Sequence, residues 1–275
     1  MIRIFNYIEK ESPIHRLTGA AKFAVLILWS IAAMTTFCTP FLVFLTLLGP
    51  VLFGFSKIRL REVRTMLLIT MAIMLLNNLL IYLFAPEQGV SIYGSRDLLF
   101  TIAGRYTVTK QQLLYHANII LKYTGTIPMI LLFVATTNPS EFAASLNRLG
   151  VNYKIAYSVS LAMRYIPDTQ NEYHDISLSQ QARGVEMSRK QTLFKRITAA
   201  ASIILPLILS SMDRIDVIAN AMELRGFGKG RRRTWYMGRS FTFADIACIL
   251  FGILLVVFTT AYAVLNGSRF WNPFL

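Results

Sequence analysis

Five long apolar runs, separated by short connectors that are mostly basic, dominate the chain. They cover Phe23–Cys38, Phe41–Phe55, about Met66–Phe84, about Leu113–Ala135 and about Phe241–Leu265. Each lacks the two-residue alternation of a half-buried strand, and each approaches the ~20 apolar residues that a membrane helix needs. Thr39-Pro40 reads as a tight turn, so the first two runs form a hairpin with almost no loop, and Gly49-Pro50 is expected to kink the second. Lys57, Arg59, Arg61 and Arg64 form a basic connector before the third run. Residues 86–112 read as a polar loop broken by Gly89, Gly94 and Gly104, with Val90-Ser91-Ile92-Tyr93 as a short strand.

From Asn138 the periodicity changes. Asn138-Pro139-Ser140-Glu141 has the marks of a helix start: a capping side chain, proline in the first turn and an early acid. The short helix that follows, ending at Leu149, is expected at the membrane surface. Two long amphipathic helices come next. Ile155, Val159, Ala162, Ile166, Thr169, Tyr173 and Ile176 keep helical spacing in the first, and Ile197, Ala201, Ile204, Ile208, Ser211, Ile215, Ala219 and Met222 keep it in the second. Pro167 and Pro206 lie inside them and are expected to bend them. Small residues from Ala199 to Ser202, with Ser210 and Ser211, allow another helix to come close. Ile197–Met212 carries no charge, but its sixteen residues are short for a span, and crossing there would separate two basic helix ends by a membrane. Both long helices are therefore expected on one side. The resulting division is a membrane domain over 1–137, a polar helical domain over 138–239 and a last span within 240–275.

Composition strengthens this reading. Of 275 residues 55% are hydrophobic and only 15% charged, against about a quarter charged in an average soluble domain. Four Lys or Arg fall in residues 1–22, four in 57–64 and fifteen in 139–240. Only Arg96, Arg105, Lys110 and Arg269 fall on the other side, with Lys122 inside a span. This asymmetry favours the N-terminus in the cytosol and the C-terminus outside, after five spans. The net charge of +14 lies between apolar runs rather than around a nucleic-acid-binding motif, so lipid headgroups and an acidic partner face are expected and nucleic acid is not. Cys38 and Cys248 lie in apolar stretches and read as small buried hydrophobes, and the first 22 residues do not read as a cleaved signal.

The two long helices end alike. The first closes on Ser179-Gln180-Gln181-Ala182-Arg183-Gly184, and forty-two residues on the second closes on Ala221-Met222-Glu223-Leu224-Arg225-Gly226. Glycine after the last helical residue fits a left-handed cap, and a cation suits the negative end of the helix dipole. That alone explains one such ending. Two matched endings, each offering a guanidinium that stays charged and can hold a carboxylate or carbonyls, point to docking.

With these two triplets, the chain resembles the T-component of energy-coupling factor (ECF) transporters. Further likeness lies in Ser12-Pro13-Ile14-His15-Arg16-Leu17, Thr136-Thr137-Asn138-Pro139-Ser140-Glu141, Leu146-Asn147-Arg148-Leu149-Gly150 and Met163-Arg164-Tyr165-Ile166-Pro167. Leu224 stands where that family often has Ala or Ser. The resemblance implies an all-α integral membrane protein of about five transmembrane helices plus a cytosolic coupling domain of one short and two long crossed helices. It also implies that Ala182, Arg183, Gly184, Leu224, Arg225 and Gly226 dock into two cytosolic ABC-type ATPase subunits, and that a small membrane substrate-binding (S) component is gripped in the bilayer. Import of a vitamin or metal ion would follow.

Other chemistry finds little support in the residues. No Gly-Lys-Ser or Gly-Lys-Thr phosphate loop is present, so ATP hydrolysis is expected in partner subunits rather than in this chain. His15, His116 and His174 lack zinc spacing, Asp213 and Asp216 lack further acidic ligands, and neither a metal nor a cofactor is expected. Two alternatives remain. One is a self-sufficient permease with Lys122, Asn77 and Asn78 as its polar path, and the other is a membrane enzyme using Asp213, Asp216 or His174.

Overall fold

The computed structural model describes residue 10 and residues 12–103, 106–185, 193–230, 234–235 and 239–274. The chain divides into two compact units, Met1–Asn138 with Arg239–Leu275, and Pro139–Gly238. Residues 186–192, 231–233 and 236–238 lie outside the described residues, as do Arg3, Gly104 and Arg105.

The first unit contains α1 (Pro13–Arg16), α2 (Gly19–Thr35), α3 (Thr39–Phe55), α4 (Leu60–Phe84), α5 (Gln88–Tyr93), the strands β1 (Leu98–Ala103) and β2 (Tyr106–Thr109), α6 (Lys110–Thr136) and α10 (Phe243–Leu265). The five apolar helices expected from the sequence are α2, α3, α4, α6 and α10. Among them α4, α6 and α10 are long and apolar enough to cross a membrane, while α2 and α3 have 17 residues each, about 26 Å of helix. Thr39-Pro40 is not the turn between α2 and α3. Proline suits a first helical turn, and both residues belong to α3, with Cys38 as its cap.

Both ends of α2 and the end of α6 receive a side chain from another helix. Lys122, on α6, donates from Nζ to the Met34 carbonyl at 2.8 Å, in the last turn of α2, and its ammonium lies over the Phe37 ring. Lys122 thus caps a helix C-terminus, where carbonyls lack partners and the dipole is negative. Lys22 does the same for α6, donating to the Thr136 carbonyl at 2.9 Å. Asp245 is fully buried at the start of α10. It accepts from Thr242 N at 2.7 Å and from Thr18 N at 2.8 Å, tying the first turn of α10 to the N-cap residue of α2. Trp29 is also fully buried and donates from Nε1 to the Gly125 carbonyl at 3.1 Å, joining α2 to α6. Beyond α10 the chain returns as a short parallel bridge beside the α2–α3 turn, with Phe37 N donating to the Arg269 carbonyl at 2.9 Å.

The segment between α4 and α6 departs from the expected polar loop. Val90–Tyr93 belongs to the helix α5 rather than a strand. Gly89 lets α5 lie against α6, because a Cβ there would sit 2.5 Å from the Gln111 carbonyl oxygen. Gly94, at φ 71°, ends the helix. The strands lie further on, as an antiparallel hairpin whose Leu-Leu-Phe-Thr-Ile-Ala and Tyr-Thr-Val-Thr segments are rich in β-formers. Asn78 is engaged by its neighbours. Gln112 accepts from Gly89 N at 2.7 Å through Oε1, so its Nε2 faces His116 Nε2 at 3.0 Å, and His116 Nδ1 faces Asn78 Oδ1 at 3.0 Å. This order makes His116 the Nδ1–H tautomer and links α4, α5 and α6.

The second unit contains α7 (Pro139–Arg148), α8 (Tyr153–Ala182) and α9 (Leu193–Leu224). Pro167 and Pro206 lie within α8 and α9, which continue through them. The long helices pair antiparallel. Gln180 reaches the Ser202 carbonyl at 3.2 Å, and Glu172 is held by both the Ser210 hydroxyl and the Arg214 guanidinium, the latter at 2.5 Å. At the other end Phe227 packs on Tyr153 and Tyr157. The Ser210 hydroxyl, with Arg214, holds the Glu172 carboxyl below the usual carboxylate range.

Two outcomes follow. Asp245→Ala strips the Thr18 and Thr242 N–H groups of their acceptor, and the buried Thr18 group alone costs about 1–3 kcal/mol, so the detergent-solubilised chain should unfold several degrees lower, with Asp245→Asn in between. A double-mutant cycle between Glu172→Gln and Arg214→Met should give a coupling of about 1 kcal/mol. Because the folded-state pKa of Glu172 is depressed, that coupling should be complete above the ordinary glutamate pKa of about 4.3. It should vanish as pH falls through the lower folded value; persistence at still lower pH would show that the carboxylate does not carry it.

Candidate functional site

Each long helix stops in the same way. At the end of α8, Val185 N bonds the Gln180 carbonyl at 3.0 Å and Gly184 N bonds the Gln181 carbonyl at 3.0 Å. At the end of α9, Phe227 N bonds the Met222 carbonyl at 2.9 Å and Gly226 N bonds the Glu223 carbonyl at 2.8 Å. Both are Schellman closures, with the glycine left-handed at φ 86° (Gly184) and φ 67° (Gly226). A side chain at either position would be strained, which accounts for the glycines. In both closures the arginine takes the cap position itself, Arg183 after α8 and Arg225 after α9.

The cap position throws these residues outward. Ala182, Arg183, Gly184 and Arg225 are exposed, and Leu224 is 90% exposed. An apolar side chain left so open beside a guanidinium suits a surface that accepts both an apolar and a charged group. Gly226 is half-buried.

The structure brings each triplet together but keeps the two triplets apart. In an antiparallel pair the two C-terminal ends are opposite ends. Arg225 lies at the level of Tyr153 and Tyr157, through the packing of Phe227 on those rings, with centroids 5.7 and 4.9 Å apart. Arg183 is 26 residues beyond Tyr157, so the helix rise sets the tips on the order of 35–40 Å apart.

The sequence reading missed what fixes the second tip. Phe227, directly after the Arg225-Gly226 pair, folds back on the root of α8. Trp235 follows it, donating from Nε1 to Asn147 Oδ1 at 3.0 Å on α7. A Gly-Phe-Gly run between basic residues hints at such a fold-back, since flanking glycines free the chain to reverse. Gly226 and Gly228 are both left-handed, at φ 67° and 94°.

Other residues singled out in the sequence lie elsewhere. Lys122 and Asn78 serve helix packing in the first unit, and Asn77 is half-buried on α4. Asp213 and Asp216 are exposed on α9. Among the described residues, no three His, Cys, Asp or Glu converge as metal ligands.

Comparison with known proteins gives this geometry a context. Residues 10–237 match the family model of CbiQ, the cobalt transport protein. The energy-coupling factor transporter transmembrane protein EcfT of Listeria innocua is 28% identical, over 97% of this chain and 96% of its own length. The protein of the same name from Staphylococcus aureus is 24% identical over 94% of this chain and 97% of its own length. That from Bacillus selenitireducens is 30% identical over 54% of this chain and 56% of its own. A match over most of the sequence, on a chain with several membrane-length apolar helices, places the protein in a membrane. It belongs to the CbiQ family and is a transmembrane component of the energy-coupling factor transporter type.

Proposed function

We propose that this chain is the coupling subunit of an ATP-driven importer of a vitamin or a metal ion. Arg183, flanked by Ala182 and Gly184, docks on one cytosolic ATP-binding subunit. Arg225, flanked by Leu224 and Gly226, docks on a second. The pair α8 and α9 carries their relative motion toward the membrane helices, where a separate small substrate-binding membrane protein is held and reoriented. The residues 138–239 form the cytosolic coupling domain, with the N-terminus in the cytosol and the C-terminus outside.

One observation carries this reading: two helices with the same Schellman closure present an exposed arginine at opposite ends of one antiparallel pair. Capping alone requires the glycine, not an arginine at the cap. The spacing on the order of 35–40 Å is the length of a long helix, enough for two protein domains to sit side by side. The excess of Lys and Arg in residues 139–240 supports the orientation. Coupling further requires that the two tips dock differently when nucleotide is bound and when it is spent, since otherwise no conformational work passes through them.

Co-purification tests the docking. Wild type should retain two ATP-binding proteins, Arg183→Ala and Arg225→Ala should each weaken retention of one, and the double variant should lose assembly and more than tenfold of ATP-driven uptake. Arg→Lys should restore part, because it returns the charge without the planar fork. Unchanged assembly and uptake in the double variant would overturn the reading, and saturable substrate binding by the isolated chain would favour a self-sufficient permease. The orientation has its own test. With Cys38 and Cys248 replaced by alanine, Arg183→Cys and Arg225→Cys should both react with an impermeant thiol reagent only in inside-out vesicles; labelling from opposite sides would sink the lever.

A further inference from the structure

The face of the first unit formed by α3, α4 and α6 carries a cavity of about 210 Å³. Its lining is apolar, with Phe53, Leu60, Leu67, Met71, Met74 and Pro128 prominent. Along α4 the lining residues run from Leu60 to Met74, about 21 Å of helix, somewhat more than the ~15 Å of hydrocarbon in one leaflet. The groove is partly open: Leu60 and Met71 are exposed, while Phe53, Met74 and Leu131 are buried.

One end of this groove is cationic. Leu60 lies within the connector that bears Lys57, Arg59, Arg61 and Arg64, all exposed. Glu62, the acid of that connector, is taken by Lys10 at 2.8 Å. None of the ion pairs among the described residues uses any of the four cations. An apolar groove thus begins at a cluster of net positive charge.

We propose that this groove binds an anionic phospholipid, with one acyl chain along Leu67, Met71 and Met74 and the phosphate at the Lys57–Arg64 connector. The apolar lining offers nothing to a polar ligand and so selects a hydrocarbon chain. The cations select a phosphate whose headgroup adds no compensating positive charge, such as phosphatidylglycerol over phosphatidylcholine. Arginine can hold a phosphate through two parallel N–H bonds. A partner helix could fill an apolar groove, but it would leave the cationic mouth unanswered. The site is independent of the arginine tips in the second unit, so docking of ATP-binding subunits can fail without affecting it.

Native mass spectrometry of the full chain in mild detergent, with dioleoyl phosphatidylglycerol or dioleoyl phosphatidylcholine added at equal concentration, tests the site. Wild type should retain phosphatidylglycerol at least five-fold more than phosphatidylcholine. Met71→Trp, which fills the groove from an exposed position, should cut that retention several-fold with no change of charge, and Leu67→Phe provides a second filling variant should the first not fold. Arg61→Gln with Arg64→Gln should erase the preference between the two lipids. Equal retention of both by wild type would overturn the proposal. So would a preference untouched by the filling variants, which would leave the groove to an apolar surface of a membrane partner or to a second copy of this chain.

Discussion

A backbone carbonyl or N–H facing hydrocarbon has no water to satisfy it, and the first unit is arranged around that constraint. Both ends of α2 and the end of α6 lie where another helix can lend a polar side chain. Lys122 serves the end of α2, Lys22 the end of α6, and Asp245 the beginnings of α2 and α10. Each of these charges would be costly alone in a membrane, and each is tolerable because it meets backbone groups that would be costly too. The same contacts fix which helices are neighbours. Lys122 can reach Met34 only if α6 runs beside the end of α2, and Asp245 can reach Thr18 only if the last helix returns to the first.

The second unit solves a different problem. Its long helices leave their closing turns exposed, and the Schellman bonds close them without help from another helix. That freedom lets the cap residue be chosen for something other than stability. Stiffness comes instead from specific side-chain ties between α8 and α9: Gln180 with Ser202, Glu172 with Ser210 and Arg214, and Phe227 with the two tyrosines. Exposed apolar side chains, including Ile204, Leu205, Ile208 and Leu209, still line α9, so its surface remains available to a further apolar body.

Much of this was legible in the sequence, for identifiable reasons. Five apolar runs specify five apolar helices, since each is long and lacks the alternation of a half-buried strand. The glycines of the two triplets announce their left-handed caps, and Asn138-Pro139-Ser140-Glu141 announces α7, which begins at Pro139. The misreadings lie where tertiary contact overrides local pattern. Val90–Tyr93 looks extended by its β-formers, yet it is helical because Gly89 lets it dock on α6. The hairpin hid in a stretch read as polar. Lys122 looked like a burden within a span, and only the position of the Met34 carbonyl reveals its use. Glu172 was visible as one of several charges on α8, while its partner on α9 lay forty-two residues away, beyond any local rule.

That last separation has a mechanical meaning. Glu172 precedes Arg183 by eleven residues, and Arg214 precedes Arg225 by eleven. The ion pair therefore sits near the middle of the span between the two tips, eleven residues or about 17 Å of helix from each. A rigid turn of 10° about it would carry either guanidinium about 3 Å, the same for both and in opposite senses. Inserting a helical turn between Glu172 and Arg183 would keep the intrahelical bonds, shift Gln180 out of register with Ser202 and make the two arms unequal.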